Sequence, residues 1–127
     1  MIELFTADTA NGWNISIMLE EINFEYKITK VNLSEGEQHK PEFKKISPFN
    51  KIPVITDQEN NKSIFESGAI LMYLGEKSKM FYPEENRLEI NQWLMAQMGL
   101  IGPMTVSYTH LRAHETVLDL VCRLLLE

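Results

Sequence analysis

Apolar and polar residues alternate from Ile2 to Thr6, the period of a β-strand. A turn rich in capping residues follows, Asp8-Thr9-Ala10-Asn11-Gly12. Ile15, Met18, Leu19 and Ile22 then recur at i, i+3, i+4 and i+7, which predicts an amphipathic helix. Residues 24–31 read as a second strand with Tyr26 and Ile28 on one face, and the polar stretch 32–40, with Gly36, as a loop. Pro41 suits the first turn of a short helix over 41–46, and Ser47-Pro48 ends it. Residues 53–56 and 63–65 form two short strands across a polar turn, the pattern of an antiparallel hairpin. Residues 67–77 predict a second main helix. Ala69, Ile70, Leu71, Tyr73 and Leu74 make it apolar along most of its length, so it is expected to be well buried. A linker with Pro83 spans 79–86. From Arg87, the residues Leu88, Ile90, Trp93, Leu94, Met95 and Met98 keep helical spacing and open a new helix.

The order is strand-helix-strand, then strand-strand-helix. A parallel unit feeding an antiparallel hairpin gives an α/β fold: a mixed four-stranded sheet flanked by helices. The helix from Arg87 reads as the first of an all-α domain that is cut short. No internal repeat or low-complexity segment is evident.

Length and charge narrow the function. The chain has 127 residues, 44% hydrophobic, with a formal charge of −6, so it reads as one domain and part of another. An acidic balance argues against a nucleic-acid partner. No apolar run approaches the length of a membrane span. Met1-Ile2-Glu3 has no basic region ahead of its apolar residues, so it does not read as a signal peptide. The single cysteine, Cys122, excludes an internal disulfide and points to a reducing, cytoplasmic compartment.

The final residues carry their own signature. One permitted codon choice for residues 106–116 spells a transposase-type short-read sequencing adaptor. In the same frame, residues 119–127 spell the flow-cell end of that adaptor, with the length of an index barcode between them. Residues 106–127 are therefore read as translated adaptor, foreign to the protein, and are set aside from fold reasoning. His110 and His114 at i, i+4, with Cys122 beyond, would otherwise suggest a partial metal site. Without this tail the chain has no cysteine and one histidine, His39, and no metal is expected.

The chemistry concentrates in residues 50–70. Proline removes a donor from its strand, so Ile52 stands beside a gap in the ladder at Pro53, an edge able to pair with an extended peptide. An Ile-Pro bond can also be cis at modest cost. Nearby, Glu66 can take an ammonium, and the helix N-terminus at Ser67 can take a carboxylate. A small zwitterionic peptide fits, and glutathione is the obvious candidate. Plainer readings stand beside this one. Thr9 and Asn11 can simply cap the first helix, and Glu66-Ser67 can be an ordinary acidic helix start. Gln38 and Lys51 can be solvated surface residues, and Trp93 can be core or interface.

Residues 1–79 resemble the thioredoxin-like N-terminal domain of cytosolic glutathione transferases. Lys51-Ile52-Pro53, Glu66-Ser67-Gly68-Ala69-Ile70 with Tyr73-Leu74, and the polar loop after the first strand carry the resemblance. Thr9-Ala10-Asn11-Gly12, Gln38, Pro41-Glu42-Phe43, Ile46-Ser47-Pro48 and Gly102-Pro103-Met104 are similar to the nu-class disulfide-bond oxidoreductases of bacteria. The resemblance spans residues 1–104. Together with the adaptor reading, it divides the chain into a glutathione-binding domain (1–79), a linker and truncated helical start (80–105), and the tail (106–127). It implies glutathione as cosubstrate, a cytoplasmic homodimer, and glutathione-dependent disulfide reduction, with transferase or peroxidase activity less favoured. A non-enzymatic regulatory or binding module on the same fold is the alternative. By resemblance, Thr9 and Asn11 would donate hydrogen bonds to the glutathione sulfur, replacing the absent tyrosine or cysteine. Ile52 beside Pro53 would pair with the cysteinyl main chain, Glu66 and Ser67 would hold the γ-glutamyl end, and Lys51 and Gln38 would face the carboxylates. Ala10 departs from the proline usual in that group, which bears on the aim of Asn11.

Overall fold

The computed structural model describes residues 1–105. Strand β1 (Ile2–Thr6) lies parallel to β2 (Tyr26–Lys30) and antiparallel to β3 (Val54–Asp57), which pairs antiparallel with β4 (Lys62–Phe65). The sheet order β2-β1-β3-β4 is the mixed four-stranded arrangement that the element order predicts, and the fold is thioredoxin-like. Three helices accompany it: α1 (Ala10–Glu21), α2 (Pro41–Ile46) and α3 (Ser67–Ser78).

Strand alternation divides the core in two. Ile2, Leu4 and Ile55 point to one face and pack with Ile15 and Leu19 of α1 and Ile70 and Leu74 of α3. Phe5, Val54 and Phe65 point to the other and pack with Val31 and with Phe43 and Ile46 of α2. Phe5 meets Phe43 edge-on at 6.4 Å between centroids.

Several boundaries differ from the sequence expectation. The second strand is five residues, not the whole of 24–31, and Ile28 is exposed although it registers with buried Leu4. An edge strand has a neighbour on one side only, so burial falls off there. The 32–40 loop contains a short 3₁₀ turn, Glu37–His39. Pro53 is buried but precedes β3. Helix α3 is buried along one face (Ser67, Gly68, Ile70, Leu74 and Gly75), while Ala69 is exposed, so its apolar length overstates its burial. The first compact unit runs from Met1 to Asn86. Part of the expected linker packs within it: a Cβ on Gly75 would stand 2.7 Å from the Cβ of buried Tyr82.

A second unit begins at Arg87. Helix α4 (Arg87–Ala96) continues into a π-helical turn, Gln97–Ile101. No residue of α4 is buried, and Leu88, Trp93 and Met95 are exposed. His110, His114 and Cys122 lie outside the described residues.

Candidate functional site

Between α2 and β3 the chain makes a tight loop around Ser47. The Ser47 N–H closes α2 on the Phe43 carbonyl at 2.9 Å, and the Ser47 carbonyl accepts from the Asn50 N–H at 2.9 Å. The buried Ser47 hydroxyl donates to the Lys51 carbonyl at 2.7 Å, and its oxygen accepts from the Lys51 N–H at 3.0 Å. Asn50 takes the left-handed conformation that the turn requires, φ +55°, which asparagine tolerates better than most residues. Ile52-Pro53 is a cis bond. Ile52 lies outside the strands, and among the described residues no loop or turn hydrogen bond claims its N–H or C=O.

Glu66 opens α3 with φ +69° and ψ +119°. That conformation costs a non-glycine residue about 1–3 kcal/mol. Its carbonyl accepts from Ile70 N–H at 2.9 Å, and its exposed carboxylate does not cap the helix. Ser67 follows as the first helical residue, buried, where the first-turn amides and the helix dipole favour negative charge.

These segments meet in a cleft of about 150 Å³. Asn11, Lys51, Ile52, Pro53, Glu66 and Ser67 all line it. Of the remaining candidates, Thr9 does not line it. Thr9 is the N-cap of α1, its Oγ1 accepting from the Gly12 N–H at 3.2 Å. Gln38 does not line it either. Its Nε2 donates to the Leu33 carbonyl at 3.4 Å, and its buried Oε1 has no partner among the described residues. Next to Asn11, Gly12 packs tightly: a Cβ on Gly12 would sit 2.2 Å from Thr6 Oγ1 and 2.7 Å from the Ala7 carbonyl oxygen. Only glycine lets α1 start this close to the end of β1.

Three further residues line the cleft: Ser47, Phe49 and Phe65. Phe49 is exposed and stands edge-on to Phe65 at 6.0 Å. Sequence reasoning took Ser47 as a helix stop and did not weigh Phe49. A serine that is followed by proline yet fully buried reveals itself only through its hydrogen bonds.

Two other features are separate from the cleft. An open apolar pocket of about 330 Å³ is floored by Phe5, Val31, Phe43 and Ile46. Its rim carries Thr29, Lys30, Glu37, Lys40 and Glu42, with Lys40 paired to Glu37 at 2.7 Å and Lys30 to Asp8 at 3.8 Å. At the end of β3 away from Pro53, the fully buried Asp57 carboxylate accepts from Tyr73 Oη, from Lys77 Nζ and from the Glu59 N–H. Burial alone would raise the Asp57 carboxyl; the three hydrogen bonds outweigh it and hold the group at about 2. Hydrogen bonds to Asp57 and Glu59 raise the Lys77 ammonium in turn. Among the described residues no group of three His, Cys, Asp or Glu side chains could hold a metal ion, and no helix is long and apolar enough to cross a membrane.

The sequence and the fold resemble those of known proteins. Residues 2–76 match the family model of the glutathione S-transferase N-terminal domain. The Escherichia coli K12 disulfide-bond oxidoreductase YfcG is 47% identical over 111 residues, covering 82% of this chain and 52% of that protein. A Pseudomonas fluorescens pf-5 glutathione transferase family member, solved with two glutathione bound, superposes with TM-score 0.76 at 47% identity, over 81% of this chain and 48% of that one. The nitrogen regulation fragment of the yeast prion protein Ure2p superposes with TM-score 0.79 at 31% identity, over 87% and 53%. The chain thus spans about half the length of the relatives it matches. By this match and by its fold, the chain belongs to the glutathione S-transferase family, whose N-terminal domain it carries in residues 2–76.

Proposed function

We propose that the cleft binds glutathione and that the whole protein uses it to reduce disulfides. The observation that carries this is the unclaimed main chain of Ile52 standing across one small cleft from Glu66 and the N-terminus of α3. Ile52 pairs with the cysteinyl segment as an added strand would. Glu66 takes the γ-glutamyl ammonium, and Ser67 with the first turn of α3 takes its carboxylate. Lys51 serves the other carboxylate, and Pro53 walls the site. Gln38 reaches that end only if its side chain turns from Leu33.

Asn11, exposed at the cleft, donates to the sulfur and favours the thiolate. Thr9 caps α1 outside the cleft lining; accepting from Gly12 leaves its own proton, which it donates to the sulfur only if the ligand extends past that lining. The thiolate attacks one sulfur of the substrate disulfide, forming a mixed disulfide and releasing the other sulfur as a thiolate that takes up a proton. A second glutathione thiolate resolves the mixed disulfide, leaving glutathione disulfide and a second reduced thiol. No protein cysteine is needed, and the only one in the chain is Cys122. The likeness to YfcG, named a disulfide-bond oxidoreductase, supports this choice over simple transfer. The whole protein is read as a cytoplasmic homodimer whose helical domain begins at Arg87 and completes the acceptor site.

A non-enzymatic regulatory module is the second reading, favoured by the likeness to the Ure2p nitrogen regulation fragment. One experiment separates them. In the full-length protein, Asn11→Ala is expected to raise the bound thiol's pKa by about one unit and slow disulfide reduction. Absence of turnover in wild type despite tight binding would favour the regulatory module. Turnover and thiol pKa both unchanged in Asn11→Ala would move the activation elsewhere.

A further inference from the structure

We infer that Ser47 is a positioning residue that selects which main-chain groups the loop offers to the ligand. The inference rests on the glutathione-binding reading of the cleft and deepens it. Ser47 is 1% exposed, and its single hydroxyl serves both main-chain groups of Lys51, donating to the carbonyl and accepting from the N–H. Its own N–H and carbonyl are committed to Phe43 and Asn50. Every polar group of Ser47 is therefore spent on the loop, none on solvent.

The consequence is one of register. An extended peptide can pair with whichever residue presents an unpaired N–H and C=O. Lys51 and Ile52 adjoin at a bend; both main-chain groups of Lys51 are held by the Ser47 hydroxyl, and among the described residues no loop or turn hydrogen bond claims those of Ile52. By claiming Lys51, the Ser47 hydroxyl leaves Ile52 as the residue that pairs. Without the hydroxyl, the Lys51 groups are released, and the loop can present either residue. A ligand one residue out of register would no longer bring its sulfur to Asn11. Ser47 thus touches no ligand atom in this scheme; it acts through Lys51.

Amide hydrogen exchange followed by NMR on the full chain reads this directly. In wild type, the Lys51 amide is expected to be protected without ligand, and the Ile52 amide to gain roughly tenfold or more protection on adding glutathione. In Ser47→Ala, Lys51 protection should vanish, Ile52 should gain little, and glutathione affinity should fall roughly tenfold, while the Leu4 and Ile55 amides keep their protection. Ser47→Thr, which keeps the hydroxyl, should restore both. Wild-type affinity with full Ile52 protection in Ser47→Ala overturns the positioning role alone. Lost protection at Leu4 and Ile55 in Ser47→Ala, together with failure of Ser47→Thr to restore binding, makes Ser47 merely structural and also overturns it. Failure of wild type to bind glutathione overturns the reading of the cleft itself, and the inference with it.

Discussion

Lys77 Nζ lies 2.7 Å from Asp57 Oδ2 and also contacts Glu59, tying α3 to the end of β3 through a carboxylate with no solvent exposure. A buried ion with one partner removed is costly, because its desolvation is no longer offset. Lys77→Met is expected to destabilise the domain by about 2–3 kcal/mol, the lower end reflecting the partly exposed ammonium. Equilibrium denaturation checks it; a loss under half a kcal/mol would mean that Tyr73 and the Glu59 N–H suffice for Asp57.

The same pair sets a pH dependence. The folded Asp57 carboxyl titrates at about 2, below its ordinary 3.8. A depressed carboxyl contributes stability that is complete above the unfolded value and lost as pH falls through the folded one. Stability is therefore expected to drop by about 2 kcal/mol between about pH 4.5 and 2. The raised Lys77 ammonium reports the same contact from the other side: its share is present below the ordinary lysine pKa and lost as pH rises through the folded value. Asp57→Asn should flatten the acid limb relative to wild type. An unchanged limb would assign acid unfolding to other carboxylates.

Gly12→Ala is expected to cost about 1–3 kcal/mol, because the new methyl would overlap Thr6 Oγ1 and the Ala7 carbonyl. Relief requires α1 to move away from β1, taking Asn11 with it. Glutathione affinity or thiol pKa should change together with thermal stability. A stable variant with normal binding would show that the first turn of α1 can yield without cost.

Much of this was legible in the sequence, for stated reasons. Alternation at Ile2–Thr6 and the i, i+4 spacing of Ile15 and Leu19 are direct records of which side faces a core, and both groups are buried. Of the six candidates at the cleft, Ile52, Pro53, Glu66 and Ser67 were readable because proline and helix starts have local chemistry, whereas Asn11 and Lys51 were implied only by the family resemblance. Thr9 showed the limit: a capping threonine and a ligand-facing one look alike until the Gly12 bond is seen. Ser47 and Asp57 were missed as organising residues, because their partners, Lys51 on a loop and Tyr73 with Lys77 on α3, are set by tertiary structure. Ile28 looked equivalent to Tyr26 by alternation, but only topology reveals that β2 is an edge.

Resequencing the source locus past codon 105 tests the reading of the last residues as adaptor. The genomic sequence is expected to diverge from residues 106–127 and continue into a helical domain. A genomic read that encodes residues 106–127 as printed would contradict it.

Glu66 offers a trade between stability and binding. Its φ of +69° is one that glycine adopts freely. Glu66→Gly is expected to relieve about 1 kcal/mol of strain yet weaken glutathione binding through loss of the carboxylate. Thermal denaturation and ligand titration on one preparation check both signs. A variant that is destabilised, or that binds as wild type, would remove the reason for a strained glutamate here.

Calorimetric titration of glutathione into the wild-type chain and its Glu66→Ala and Ser67→Ala variants tests the glutathione site most directly. Wild type is expected to bind one glutathione in this cleft, and each variant to lose roughly tenfold or more in affinity with its fold intact by circular dichroism. Wild-type affinity in both variants, or no binding by a folded wild-type chain, would contradict it.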